Sequence, residues 1–254
     1  MARRTAGYGW IPDLPDQRDL LYAAPPAPPI PLPAQTDLRA QCPPVYDQGQ
    51  LGSCTANAIA GALQFDEAKQ GEADTTLLSR LFIYYNERVM EGTVGTDSGA
   101  MIRDGIKTVN AVGACPESEW PYDIARFTEK LSDACYADAA THRALQYQRV
   151  SHDLTQMRTC LASGFPFVFG FSVYESFESK AVAHTGVAPM PAHGERVIGG
   201  HAVMAVGYDD TAATFLVRNS WGTRWGLAGY FTMPYDYLSA RNLSNDFWTI
   251  RLMS

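Results

Sequence analysis

Four side chains in this sequence have the types and the order that covalent acyl transfer needs: Gln48, Cys54, His201 and Asn219. The stretch Gln48-Gly49-Gln50-Leu51-Gly52-Ser53-Cys54 reads as a loop that turns at Gly49 and Gly52 and enters a helix at Cys54. A cysteine in a first helical turn sits at the positive end of the macrodipole. With an imidazolium nearby, its pKa is expected to fall from about 8.5 to well below neutrality. His201 opens a strand and supplies a base that would take the thiol proton and later protonate a leaving amine. Asn219 closes the next strand, where it can hold the imidazole in one tautomer, because antiparallel neighbours bring their ends together. Gln48 can return its side-chain amide beside the Cys54 backbone N–H, giving fixed donors for a tetrahedral oxyanion.

The elements that must carry these residues follow from periodicity. The Cys54 helix runs through Ile59, Ala62, Leu63 and Ala68 and stops at Lys69-Gln70-Gly71, a basic last turn with a glycine exit. A second helix is expected over 77–89, a glycine-rich loop over 92–99, and a third helix from Ser98 or Ala100 to Val109, closed by a loop over 110–122. From about Leu145 the pattern changes. A short helix over 154–162 precedes the aromatic, β-branched run 167–173, which reads as a buried strand. His184 to Gly200 reads as a long loop. Residues 201–208 and 214–219 read as a hairpin across Asp209-Asp210, and 229–233 and 247–251 as further strands. Helices first and strands later indicate an α+β protein with a helical lobe and a β lobe.

Composition narrows the function classes. A chain of 254 residues with 46% apolar and 19% charged residues can bury a full core. Its net charge of −7 argues against a nucleic-acid partner. The longest apolar run, Phe165 to Tyr174, is far short of the roughly 20 residues a bilayer crossing needs. No secretory signal follows Arg3-Arg4, so the expectation is a cytoplasmic protein or one exported without a signal peptide. Five cysteines do not make a disulfide scaffold, and their spacing assigns no pairs. Without Cys-x-x-Cys or His-x-x-x-His patterns no metal site is expected, and the chemistry above needs no cofactor. Thr96-Asp97-Ser98-Gly99 echoes a serine-nucleophile loop, but every histidine follows it. Residues 1–31 form a turn-rich extension in which 25–31 should be polyproline II. Its Trp10, Ile11, Leu14, Leu20, Leu21 and Tyr22 suggest a strap lying on the body, either as simple packing or across the active site. Asp13, Asp16 and Asp19 are either solvated or paired with body arginines.

At Gln48-Gly49-x-x-Gly52-Ser53-Cys54, Gly200-His201-Ala202-Val203 and Asn219-Ser220-Trp221-Gly222-Thr223-x-Trp225-Gly226, the sequence resembles the papain family of cysteine peptidases over roughly residues 32 to 252. The extension resembles a bacterial branch of that family. The resemblance implies a two-lobed papain-like domain over 32–254, with a helical lobe about 45–140, a β-barrel-like lobe about 141–250 and the cleft between them. It implies Cys54 as nucleophile, His201 as general base and acid, Asn219 as its orienter and Gln48 as oxyanion donor. Trp221 would shield the His201–Asn219 hydrogen bond, and Gly99 would present its backbone to an extended peptide. Gly170 and Gly199, with Gly200 beside them, stand where relatives carry larger residues around the second specificity pocket, which predicts a roomy apolar site. Thr55 replaces a frequent tryptophan, and Leu51 replaces a usual disulfide cysteine. The implied activity is endopeptidase action on peptides or proteins by a monomer. The same triad could serve an exopeptidase, and the fold alone could serve a silent peptide-binding or inhibitory protein.

Overall fold

The structure is a computed structural model and describes residues 7–22, 31–71 and 76–253. The polyproline stretch expected over 25–31 lies outside the described residues except for Pro31. Helix α1 (Cys54–Lys69) is the axis of the molecule. Every residue from Cys54 to Glu67 is buried, so this helix has no solvent face and runs between the lobes. On one side it packs against α2 (Arg80–Glu91) and α3 (Ile102–Ala111). Ser79 caps α2 through its side-chain oxygen, and Gly92 ends it in the left-handed region. The second helix therefore begins three residues later than periodicity suggested, at the capping serine's edge. The short α4 (Asp133–Ala139), capped by Ser132, completes this lobe.

The other face of α1 meets an eight-stranded sheet ordered β2-β5-β10-β6-β7-β8-β9, with β3 also on β7. Its strands are β2 (Leu21–Tyr22), β3 (Gln35–Asp37), β5 (Ala144–Val150), β6 (Phe167–Tyr174), β7 (Val197–Asp209), β8 (Thr214–Arg218), β9 (Tyr230–Pro234) and β10 (Ser244–Met253). All neighbouring pairs are antiparallel except β2 with β5. The expected helix over 154–162 is α5 (Leu154–Ala162), and the short α7 (Tyr235–Ser239) follows β9. Phe167, Phe169, Phe171, Phe215, Phe231 and Phe247 interlock in the sheet's core.

The long loop expected over 184–200 is shorter than the sequence suggested. Its start belongs to α6 (Lys180–Thr185), capped by Ser179, and its end is the first part of β7, where Gly199 and Gly200 pair with Val173 and Ser172. Glycines read locally as loop are held extended here by their ladder partners. Among the described residues, no helix is long and apolar enough to cross a membrane.

The extension does not stand apart from this body. Its strand β1 (Trp10–Ile11) pairs in parallel with β4 (Ala100–Met101), just before α3, and β2 joins the main sheet. Trp10 and Tyr22 are buried, whereas Leu14, Leu20 and Leu21 are exposed.

Candidate active site

The loop before α1 is held from three sides. Gln48 donates its backbone N–H to Ser220 O at 2.8 Å, accepts from Ser220 Oγ at 2.6 Å and donates Nε2 to Leu51 O at 3.0 Å. Gly52 N–H reaches the Asp97 carboxylate at 3.0 Å, and Tyr84 Oη donates to the same group at 2.5 Å. Tyr122 Oη donates to Gln48 O and shares a hydrogen bond with Ser53 Oγ. These contacts fix the turn that delivers Cys54 as the first residue of α1. The Asp97 motif that echoed a serine protease is thus a bracket for the cysteine loop. Sequence reasoning missed the tie, because it joins positions 45 residues apart.

His201 comes to the same point from the β lobe. Its Nε2 lies 2.8 Å from Asn219 Oδ1, which also accepts the Ser220 N–H. The Trp221 indole stacks on the imidazole at 4.8 Å and 25°, with Trp225 set edge-on behind it. The Cys54 thiol meets the backbone N–H of Ala202, the residue after His201 on β7. The structure therefore gathers Gln48, Cys54, His201, Asn219 and Trp221 at one junction between the lobes. All five are buried.

The cleft at this junction is filled by the chain's own extension. Gly9 O accepts the Ala100 N–H at 2.7 Å, and the Gly9 N–H points at the Cys54 thiol. Only glycine fits at position 9: a β-carbon there would lie 1.6 Å from Gly52 O. Gly99 faces the same segment, where its own β-carbon would lie 2.2 Å from Gly9 O. The Trp10 indole lies on Gly170 and Gly200 and donates Nε1 to Asp246 at 3.1 Å. Gly199 is not part of that seat. It lies under the ring of Tyr8, whose hydroxyl donates to Glu178 and whose edge meets His201 and Trp221.

The expected low thiol pKa is also corrected. Burial pushes the Cys54 thiol up to about 12, against the pull of the Ala202 and Gly9 N–H groups. A helix start is a local feature, and desolvation at the buried junction outweighs it. Directly behind, Thr55 donates to Glu87 at 2.8 Å, and burial raises that carboxyl well above its ordinary range.

A cluster of charge anchors the strap. Asp13 accepts from the Arg103 N–H at 3.1 Å and from Trp248 Nε1 at 2.9 Å, while its own N–H bonds Asp246 at 2.8 Å. Arg149 bridges Asp246 and Asp19, each at 2.9 Å, and Arg103 pairs with Asp19 at 2.6 Å. Burial, then Asp246, raises the Asp13 carboxyl to about 7. Of the two readings open for these aspartates, pairing with body arginines is observed for Asp19 alone; Asp13 takes a backbone N–H and an indole N–H, and Asp16 pairs at the surface with Arg18 of the extension itself and with Lys107.

The chain is similar to known proteins. Xylellain, a cysteine protease from Xylella fastidiosa, is similar in structure at a TM-score of 0.91 with 46% identity, covering 99% of this chain and 98% of that one. An uncharacterized peptidase C1-like protein of Acanthamoeba polyphaga mimivirus is 50% identical over 213 residues, 81% of this chain and 68% of the relative. A cathepsin L of Sarcophaga peregrina is 29% identical over 207 residues, 79% of this chain but 56% of the relative, so the chain spans little more than half of that protein. Residues 32–246 match the family described as papain family cysteine protease. That span holds the cysteine loop, the histidine strand and the asparagine turn together, and the chain belongs to the papain family of cysteine proteases.

Proposed function

We propose that this chain is a thiol-dependent endopeptidase folded in a latent form, with residues 7–11 seated in its own cleft. The reaction begins when His201 takes the Cys54 proton. The thiolate then attacks a peptide carbonyl, and the oxyanion is met by the Cys54 backbone N–H and the Gln48 side-chain amide. His201 returns the proton to the leaving amine, giving a Cys54 thioester, and the same group activates the water that hydrolyses it. Asn219 keeps the imidazole turned toward the thiol, and the Trp221 ring keeps water from their hydrogen bond. Peptides or proteins are the substrates.

The observation that carries latency is the direction of the strap at the sulfur. Gly9 offers the thiol its N–H while its own carbonyl is turned to the Ala100 N–H, so the segment fills the site beside the sulfur. A peptide-like epoxide that alkylates activated thiols tests both halves. The full chain is expected to label slowly and the Trp10→Ala full chain rapidly, with no adduct in Cys54→Ser variants. Absence of labelling in folded, reduced Trp10→Ala protein would instead favour a silent binding protein.

A further inference from the structure

One end of the cleft carries charge that the chain itself does not neutralise. The strap marks the cleft's direction: Trp10 at Gly170, Gly9 at Cys54, then Tyr8 against His201 and Trp221. Beyond Tyr8, at the end away from Trp10, lies an open pocket of about 680 Å³. Its floor is Trp221 and Trp225, and its rim carries Lys180, His184 and Arg224. Asp47 is the one carboxylate among the lining residues, and its Oδ1 already accepts the Gly49 N–H at 3.0 Å.

The rim cations contrast with six arginines elsewhere in the molecule. Arg80, Arg103, Arg126, Arg149, Arg158 and Arg196 each sit against a carboxylate. Lys180, His184 and Arg224 are exposed and make no ion pair among the described residues. In a chain with net charge −7, two permanent positive charges and a histidine left together around a wet, tryptophan-floored pocket form a local attractor for anions. The position decides which anion. The Trp10 seat on Gly170 and Gly200 lies on the other side of Cys54 from this pocket. The pocket past His201, the group that hands a proton to the leaving amine, therefore receives residues after the scissile bond.

We propose that this pocket is a carboxylate subsite on the leaving-group side, so that the enzyme favours peptides carrying Asp or Glu in the first positions after the cut. The proposal rests on the peptidase reading above, and two measurements keep their failures apart. Binding is read first in the full chain carrying Cys54→Ala and Trp10→Ala, by quenching of tryptophan fluorescence with acetyl-Glu-Glu-amide and acetyl-Ala-Ala-amide. The acidic peptide is expected to bind saturably, more weakly as salt rises, and not after Lys180→Glu with Arg224→Glu. No difference between the two peptides overturns the subsite, whatever the enzyme's activity.

Hydrolysis is read next in the Trp10→Ala full chain, on peptides that differ only in having Glu, Ala or Lys at the second position after the scissile bond. The expected kcat/KM is about five- to tenfold higher for Glu than for Ala at low ionic strength. Charge reversal at Lys180 and Arg224 should turn that preference toward Lys. A Glu-to-Ala ratio near one, or a ratio unmoved by salt and by charge reversal, sinks the proposal.

Discussion

The indole of Trp10 occupies the volume that a side chain on residue 170 would need. A β-carbon built on Gly170 lies 2.0 Å from the Trp10 ring, well inside contact distance. Gly170→Ala should therefore unseat the strap while leaving β6 paired. Losing a buried tryptophan's packing costs about 3 kcal/mol, so alkylation of Cys54 by a small thiol reagent should quicken by about a hundredfold. Trp10→Ala should do the same from the other side of the contact. Unchanged rates in both variants would show that the strap does not gate the thiol.

Asp13 ties strap seating to pH. Its seated carboxyl is raised to about 7, and that of a free strap has an ordinary carboxylate value. Seating is thus favoured when Asp13 is protonated: this contribution is full below the ordinary range and is lost as pH rises through about 7. Asp246, also raised, acts in the same direction, while Arg103 moderates both and Arg149 moderates Asp246. Exchange of the Ala100 amide, corrected for its intrinsic pH dependence, should speed up as pH rises from the ordinary carboxylate range to about 7, by about a power of ten per unit at most, and level off above it. Asp13→Asn should flatten that slope. A slope that survives the substitution would assign it elsewhere.

Asn219→Ala removes the acceptor 2.8 Å from His201 Nε2. In a Trp10→Ala background kcat should fall by about two orders of magnitude with KM little changed, since the residue acts through His201 and touches no substrate. A loss confined to KM would contradict the orienting role.

Glu87 gives a stability test independent of turnover. Burial raises its pKa in the folded protein, so its contribution is present at pH below the ordinary carboxylate range and is lost as pH climbs. Glu87→Gln keeps an acceptor for Thr55 and removes the titration. Its Tm should exceed that of the wild type at pH 8 and converge with it near pH 5. Parallel melting curves at both pH values would mean that Glu87 does not titrate across this range.

The sequence carried the site further than it carried the fold's edges. Cys54 and Asn219 were legible because each sits at an element boundary, a glycine turn and a strand end, whereas His201, expected to open a strand, lies inside β7, which begins four residues earlier at Val197. The α5 boundaries could be read to the residue, since Asp153 caps one end and Gly164 follows the other. Helix α4 was invisible, because seven residues with only Cys135 and Ala139 buried give no period. Strand β5 was missed for a related reason, as its exposed and half-buried residues do not alternate cleanly. Which glycine lies under Trp10 and which under Tyr8 was not legible, because it depends on register against β6, a non-local quantity. The thiol's state was misjudged for the same kind of reason. It is set by burial at a junction built from distant parts of the chain, with Ala202 and Gly9 against the sulfur, and not by the helix start alone.

The strap and its seat are parts of one polypeptide, with Tyr22 bound into the sheet beyond it. Rebinding is therefore unimolecular, and the strap meets its cleft at an effective concentration on the order of millimolar however dilute the protein becomes. A peptide present at micromolar levels competes against that fixed local concentration, so dilution alone never opens the cleft. Opening follows from weakening the Asp13–Asp246 anchor or from cutting the chain between Trp10 and Tyr22. Only the second of these converts seating into an ordinary bimolecular encounter that dilution can end.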